Sequence, residues 1–362
     1  SILCGWLEGV VLAEILDDEN LIDQMVEGQW ALMTTEEGGD ILIKSDESSL
    51  IYDVCSVIQV VMGLLSKRET VTVNRSGRRS LTPLGRKTLE CLRIDFTCLA
   101  VKFSAEAFNP YVSAFARAIE RLRSDDAFWG VSAYPNNLVM DDAVKTFQIL
   151  KDEILGADDG GALKNTLRNS ERNARKNLAG LSLYVDALLD RYSRLVVVRV
   201  DLRYEIGEVN WKEGSADIAR SDFNTFLRFV KGKRFGKDVC GYVWKLEYGP
   251  LQGWHYHFLL FLNGARHRED VSIAKELGDA WVEITQSKGC YFNCNARKEK
   301  YNKPALGVVS WRDLDKVQNL KMAAGYLAKS DLLIRPNLAG GERALGKGRM
   351  PKSHSGKGRP RL

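Results

Sequence analysis

The sequence predicts an α+β protein in which a mostly helical N-terminal region precedes an antiparallel sheet. Three observations carry that expectation. Apolar positions between residues 103 and 192 recur at helical spacing, long strand-like runs begin only at Leu195, and from there strands and helices alternate in the order β-α-β-β-α-β-α.

Taken in order, residues 1–66 read as acidic helices broken at Gly38-Gly39. Thr70–Asn74 reads as a strand and Arg75–Arg78 as a tight turn. Leu81–Leu89 opens a helix with Thr82 as N-cap and Pro83 at the first helical position, where the missing N–H of proline has no partner to lose. Residues 103–192 read as helices with turns at Tyr134–Asn137 and Gly156–Gly161, and Lys164 to Lys176 forms a basic helical stretch. Leu195–Leu202 is a strand, and Ala216–Val230 a helix with Ile218, Phe223, Phe226, Leu227 and Val230 apolar. Gly241–Glu247 and Trp254–Leu262 are strands around a short turn. Val271–Ile284 is a helix, Gly307–Trp311 a fourth strand and Asp313–Lys329 a closing helix. The first six of these elements match the split βαβ arrangement of a ferredoxin-like antiparallel sheet, with helices on one face.

The expected organisation is an acidic region over 1–100, a helical region over 101–192, the sheet domain over 193–335 and a flexible basic tail over 336–362. Within the first, the helix, hairpin and helix of 50–95 resemble the wing and last helix of winged-helix DNA-binding domains.

The 362 residues are 45% hydrophobic and 27% charged, which places the chain among globular proteins rather than disordered or fibrous ones. Its longest apolar run, Val54–Leu65, carries Ser and Gln and falls short of the roughly 20 residues a membrane span needs. Neither a membrane partner nor a secretory leader is expected. Seven cysteines at irregular spacing argue against a disulfide framework and for a reducing compartment. The net charge of +5 conceals a split. Residues 1–66 hold 13 acids and one base, the remaining chain 51 bases against 34 acids, and residues 343–362 seven bases with no acid. A basic majority points to a polyanionic partner, nucleic acid first.

The chemistry concentrates in the hairpin. Along Trp254-His-Tyr-His-Phe-Leu-Leu260 the side chains alternate, so His255 and His257 share one face and the aromatic residues the other. The aromatic face belongs under the helices, which leaves the histidines on the open face of the sheet. With the turn centred on Leu251, Glu247 stands opposite His255 and Lys245 opposite His257, with roughly 4.5–5.5 Å between opposed Cβ atoms. Two imidazoles and a carboxylate in that triangle suit a divalent cation with positions left open. Surface histidines bonded to Glu247 are the alternative. On the closing helix, Tyr326 and Lys329 are three apart and share a face. A tyrosine hydroxyl, with a pKa of about 10, becomes a competent nucleophile when its electrophile is polarised and a cation stabilises the developing charge.

Together these motifs resemble the HUH endonuclease superfamily of rolling-circle replication initiators, relaxases and related transposases. His255-Tyr256-His257 matches its His-hydrophobic-His motif, Glu247 its glutamate eight positions earlier, and Tyr326 with Lys329 its YxxK motif. More narrowly, VVVRVDLRY, GWHYHFLLFLNG and AAGYLAKSD resemble the inovirus-type, filamentous phage gene-II-like replication proteins, including the YagK/YfjJ C-terminal type. The resemblance covers about 195–335. It implies a metal-dependent endonuclease that nicks and rejoins single-stranded or stem-loop origin DNA. Mg2+ or Mn2+ would sit on Glu247, His255 and His257, Tyr326 would form a covalent 5′-phosphotyrosine, and Lys329 would position phosphate. Arg199, Asp201, Arg203 and Lys245 would line the DNA path. The setting implied is the cytoplasm of a bacterial host, with a prophage-type element and host replication proteins as further partners. A DNA-binding regulator with an inactive HUH fold and a metal-dependent hydrolase using water are the alternatives.

Other features carry less. Cys290 and Cys294 have no second pair to complete a zinc site, Tyr291 and Phe292 read as core before base-stacking groups, and His267 belongs to a helix start. Ser355-Gly-Lys-Gly358 lacks the Ser/Thr and upstream strand of a phosphate loop, so helicase activity is not expected.

Overall fold

The structure, a computed structural model, describes residues 31–34, 40–43, 47–96, 109–133, 138–205, 215–249, 253–300, 304–329 and 343–352. The architecture is α+β, with two compact units built mainly on Lys44–Asn173 and Ala174–Ser330. Among the described residues no helix is long and apolar enough to cross a membrane.

The first unit is mostly helical. Helix α1 (Glu47–Leu65) buries Val54, Val57, Ile58, Val61 and Leu64, a 3–4 spacing that makes one apolar stripe. The hairpin of β3 (Val71–Val73) and β4 (Arg79–Leu81) leads into α2 (Pro83–Cys91). As the sequence predicts, Thr82 caps α2 by accepting from Gly85 N at 3.0 Å, with Pro83 in the first turn. Helices α3 (Pro110–Leu122), α4 (Asp126–Ala133) and α5 (Met140–Ala157) follow, and α3 and α5 pack on α1.

The expectation of helices throughout residues 1–66 needs correction. Strands β1 (Ala31–Thr34) and β2 (Asp40–Ile43) form an antiparallel pair. Gly38-Gly39 falls between two short runs, a hairpin signal rather than a helix break. Residues 1–30 and the turn expected at Tyr134–Asn137 lie outside the described residues.

Helix α6 (Ala162–Arg191) runs from one unit into the other. The second unit then follows as β5 (Arg194–Tyr204), α7 (Ser215–Val230), β6 (Val239–Gly249), β7 (Gly253–Asn263), α8 (Asp270–Ile284), β8 (Gly289–Asn293), β9 (Gly307–Ser310), α9 (Leu314–Lys329) and β10 (Leu345–Lys347). The sheet order is β10-β6-β7-β5-β8, with β9 also on β5 and every pairing antiparallel. Strands β6-β7-β5-β8 reproduce the ferredoxin-like order. Val196, Val198, Val200 and Leu202 of β5 and Tyr256, Phe258 and Leu260 of β7 form the core with Phe223 and Phe226 of α7 and Leu277 and Trp281 of α8.

Three expectations about this unit are corrected. The fourth strand is double: β8 pairs with Val200–Tyr204 and β9 with Arg194–Val197 along one edge of β5. Only β9 was expected. The sheet is also not open on its second face. Tyr184 of α6 meets Phe261 edge-on at 6.3 Å, and a Cβ on Gly241 would lie 2.4 Å from the Tyr184 hydroxyl. Helix α9 joins α6 there, its Gly325 seated against Leu178 and its Lys321 2.5 Å from Asp186. Leu259 and Phe261, buried on the histidine side of β7, are the reason: a strand apolar on both faces needs cover on both. Finally, residues expected in a flexible tail form β10. Leu246 N donates to Ala344 O at 2.7 Å, Gly348 N donates to Tyr242 O at 2.8 Å, and Gly346 packs against the Trp244 indole.

Candidate metal centre

Hairpin β6–β7 has the register that a turn centred on Leu251 predicts, with Glu247 opposite His255 and Lys245 opposite His257. Gly249 pairs with Gly253, and Gly253 has φ +63°, a left-handed conformation that favours glycine where the chain re-enters the sheet. That glycine also serves the site, because its carbonyl accepts from His255 Nδ1 at 3.1 Å. On the other side of β7, Asp201 of β5 stands opposite His257 and its Oδ1 lies 2.8 Å from His257 Nδ1. Both Nδ1 atoms are thus engaged as donors, and both imidazoles turn Nε2 toward Glu247. His257 Nε2 lies 3.3 Å and His255 Nε2 3.7 Å from Glu247 Oε2.

One ligand atom from each of Glu247, His255 and His257 can be chosen so that all three lie within 4.8 Å of one another. His255 Nε2 and Glu247 Oε1 are buried without a hydrogen-bond partner. Two such orphaned atoms at one small volume carry a desolvation cost that a cation would remove. The donor set of two imidazole nitrogens and a carboxylate fits a divalent metal and leaves coordination positions for water or substrate.

The electrostatics are tightly coupled. Burial alone would raise the Asp201 carboxyl, but the charges of Arg199 and His257 outweigh it and hold it far below the usual carboxylate range. Arg199 Nε lies 3.2 Å from Asp201 Oδ1. Burial disfavours the His257 cation, yet Asp201 and Glu247 overcome this and push its pKa up to about 9. Burial lowers His255. Glu247 is held well below its ordinary value, the histidines outweighing its burial.

The structure also places the other residues singled out in the sequence. Asp201, expected on a DNA path, orients His257. Arg203 is buried, and Lys245 is 0% exposed, so its ammonium is not presented at the surface. Tyr326 lies on α9, which packs against β6, the strand of Glu247. It is 6% exposed, and the Lys329 side chain lies outside the described residues. Cys290 and Cys294 are free thiols that do not join the cluster, and burial pushes Cys290 up to about 12. Tyr291 packs on Gly278 of α8 and donates to Asp279 at 2.9 Å, a core role. His267 precedes α8 and bonds Asp238 at 3.0 Å.

Sequence reasoning missed Asn295. Between β8 and β9 its Oδ1 accepts from Arg199 N at 2.8 Å, and its Nδ2 donates to Val197 O at 3.0 Å and Asp270 Oδ2 at 2.7 Å. One amide side chain thereby fills the break in the ladder beside Arg199. No residue spacing signals this, since 96 positions separate the partners.

The geometry defines an antiparallel α+β domain with a metal-ready His-x-His and glutamate cluster on a covered sheet face. The YagK/YfjJ C-terminal domain matches residues 160–347, more than half of the chain, and the chain belongs to that family. The match begins just before α6 and ends with β10, so it includes both elements that close the sheet. No curated protein and no solved structure matches the chain.

Proposed function

We propose that this protein is a HUH-type, inovirus-related replication initiator of a prophage-type element that nicks and rejoins single-stranded origin DNA. The observation that carries the reading is the cluster itself, with both Nδ1 atoms engaged and both Nε2 atoms turned to Glu247. Glu247, His255 and His257 would hold Mg2+ or Mn2+, which supplies Lewis-acid polarisation of a phosphate oxygen. Tyr326 Oη forms a bond to phosphorus as the P–O3′ bond breaks. The tyrosine proton is lost and the departing 3′ oxygen gains one, leaving a 5′-phosphotyrosine and a free 3′-OH. Attack by a 3′-OH in reverse rejoins the strand. Lys329 positions the phosphate, and Asp201 and Gly253 keep the imidazoles in the ligand tautomer. Origin DNA, single-stranded or in a stem-loop, is the substrate, host replication proteins are partners, and the bacterial cytoplasm is the setting.

The burial of Tyr326 favours one second reading, hydrolysis at the same cluster with water as nucleophile. One experiment separates the two. The protein is incubated with Mn2+ and single-stranded DNA spanning the element's origin, and denaturing gels are read for a covalent adduct. The nicking reading expects an adduct that Tyr326→Phe abolishes while Mn2+ binding persists. Cleavage without adduct supports hydrolysis, and neither product sinks both.

A further inference from the structure

The first unit carries a surface that the cleavage reading does not use. Residues 67–93 hold eight bases and two acids, and between Thr70 and Leu89 there is no acid at all. The middle of this stretch is the β3–β4 hairpin, and every residue from Thr72 to Ser80 is exposed. A short isolated hairpin is marginal by itself. This one is mounted. Thr82 N donates to Thr70 O at 3.0 Å, the Thr82 hydroxyl donates to Glu69 O at 2.8 Å, and a Cβ on Gly85 would lie 2.0 Å from Thr70 O. The base of the hairpin is therefore clamped to the first turn of α2, which packs on α1.

The tip is also fixed. Asn74 Oδ1 accepts from Ser76 N at 3.1 Å, Ser76 Oγ at 2.7 Å and Arg78 N at 2.9 Å, while Asn74 N donates to Arg78 O at 3.0 Å. Gly77 takes φ +79° to close the turn. The bases of this stretch other than Arg93 divide into two groups. Arg79 pairs with Asp141, Arg86 donates to Leu81 O, and Lys87 donates to Gln59. Arg75 and Arg78 make no ion pair among the described residues, nor do Lys67 and Arg68 at the base.

We propose that the β3–β4 hairpin is a docking element for duplex DNA, with Arg75 and Arg78 at its tip and Lys67 and Arg68 at its base contacting backbone phosphates. A two-stranded ribbon is one of the shapes that a DNA groove admits. Duplex is favoured over single strands because binding unpaired bases needs aromatic stacking platforms. Residues 67–93 contain no Phe, Tyr or Trp. The same lack disfavours a lipid surface, where such side chains anchor at the interface. Rigidity matters because ordering a loose tip on binding would consume affinity.

The test uses the full chain in EDTA, so it does not depend on metal, cleavage or Tyr326. Fluorescence anisotropy is read with a mixed-sequence duplex, a single strand of equal length and anionic phosphatidylserine vesicles, each over a range of salt. The wild type is expected to bind duplex most tightly. Arg75→Ala with Arg78→Ala should weaken duplex binding about tenfold or more at ~0.1 M salt and reduce the log–log salt slope by about 2. Both side chains are exposed and make no ion pair among the described residues, so thermal stability should not change. The paired Lys substitutions should retain most binding. Asn74→Ala, which leaves the charge unchanged, should weaken binding by loosening the tip. Unchanged duplex affinity and slope in the double alanine variant overturn the proposal, as does an equal loss on single strands or vesicles.

Discussion

In the metal-free protein His257 remains a cation up to about pH 9, because Asp201 and Glu247 flank it. Any ion that takes His257 Nε2 as a ligand must displace that proton. At pH 7 the proton is held about two pH units too tightly, which lowers apparent metal affinity about 100-fold, or about 3 kcal/mol, below its ceiling. Mn2+ affinity should therefore rise about tenfold per pH unit from 7 towards 9 and level off above, with close to one proton released per ion at pH 7. Isothermal titration in buffers of differing ionisation enthalpy reads both quantities. Asp201→Asn preserves shape but removes the carboxylate charge that raises His257. Its affinity should level off at lower pH, while the weaker hold on Nδ1 lowers the ceiling about 10–100-fold. A pH-independent affinity between pH 6 and 9, or an Asp201→Asn profile superposing on the wild type, refutes the reasoning. The linked stability has the opposite slope. A raised His257 pKa contributes stability that is complete below its ordinary 6.5 and lost as pH rises through about 9. This contribution in the metal-free protein should therefore fall over that window, and saturating Mn2+ should offset the loss.

Two further substitutions probe the sheet around the site. Gly346→Val places a side chain where even a Cβ would lie 2.4 Å from the Trp244 ring, so β10 should be forced off β6. Urea denaturation should show a loss of about 1–3 kcal/mol, accompanied by weaker Mn2+ binding because the strand of Glu247 becomes a free edge; unchanged values of both would count against β10 as part of the site's scaffold. Asn295→Ala strips the amide partner from Arg199 N, Val197 O and Asp270. Each buried group left unsatisfied costs about 1–3 kcal/mol, so a total loss under about 1 kcal/mol by chemical denaturation would refute its bridging role.

What the sequence reveals about this site depends on how its strands are connected. Glu247, His255 and His257 are legible because a short turn fixes the β6–β7 register, and arithmetic on residue numbers then pairs them. Asp201 meets His257 across strands whose register no tight turn sets, so its role emerges only in three dimensions. Strand β8 is five residues long and shares its edge with β9, leaving too short a pattern to stand out. Strand β10 is hidden by its glycines: the feature that reads as flexibility in Leu345–Gly348 is what permits Gly346 to lie on Trp244 and Gly348 to approach the Tyr184 hydroxyl. The covered second face was written in Leu259 and Phe261. It was obscured by the two histidines preceding them on the same side of β7.

Burial also changes how the charge of the chain is understood. Arg199 is engaged by Asp201, while Lys245 and Arg203 lie within the protein on the histidine side of the sheet. Desolvating Asp201 and Glu247 requires opposite charge nearby: Arg199, His257 and Arg203 supply it to Asp201, and His257 supplies it to Glu247. Cations committed to that task are poor counterions for a polyanion, since a phosphate would have to compete with buried carboxylates for them. At the cluster the Glu247 and Arg199 side chains are each 20% exposed. On the proposed docking reading, attraction for nucleic acid comes from bases outside the cluster, and the exposed hairpin of the first unit has them in a fixed arrangement. On the proposed readings, metal binding and duplex docking draw on separate sets of charges, so a substitution in one set should leave the other intact.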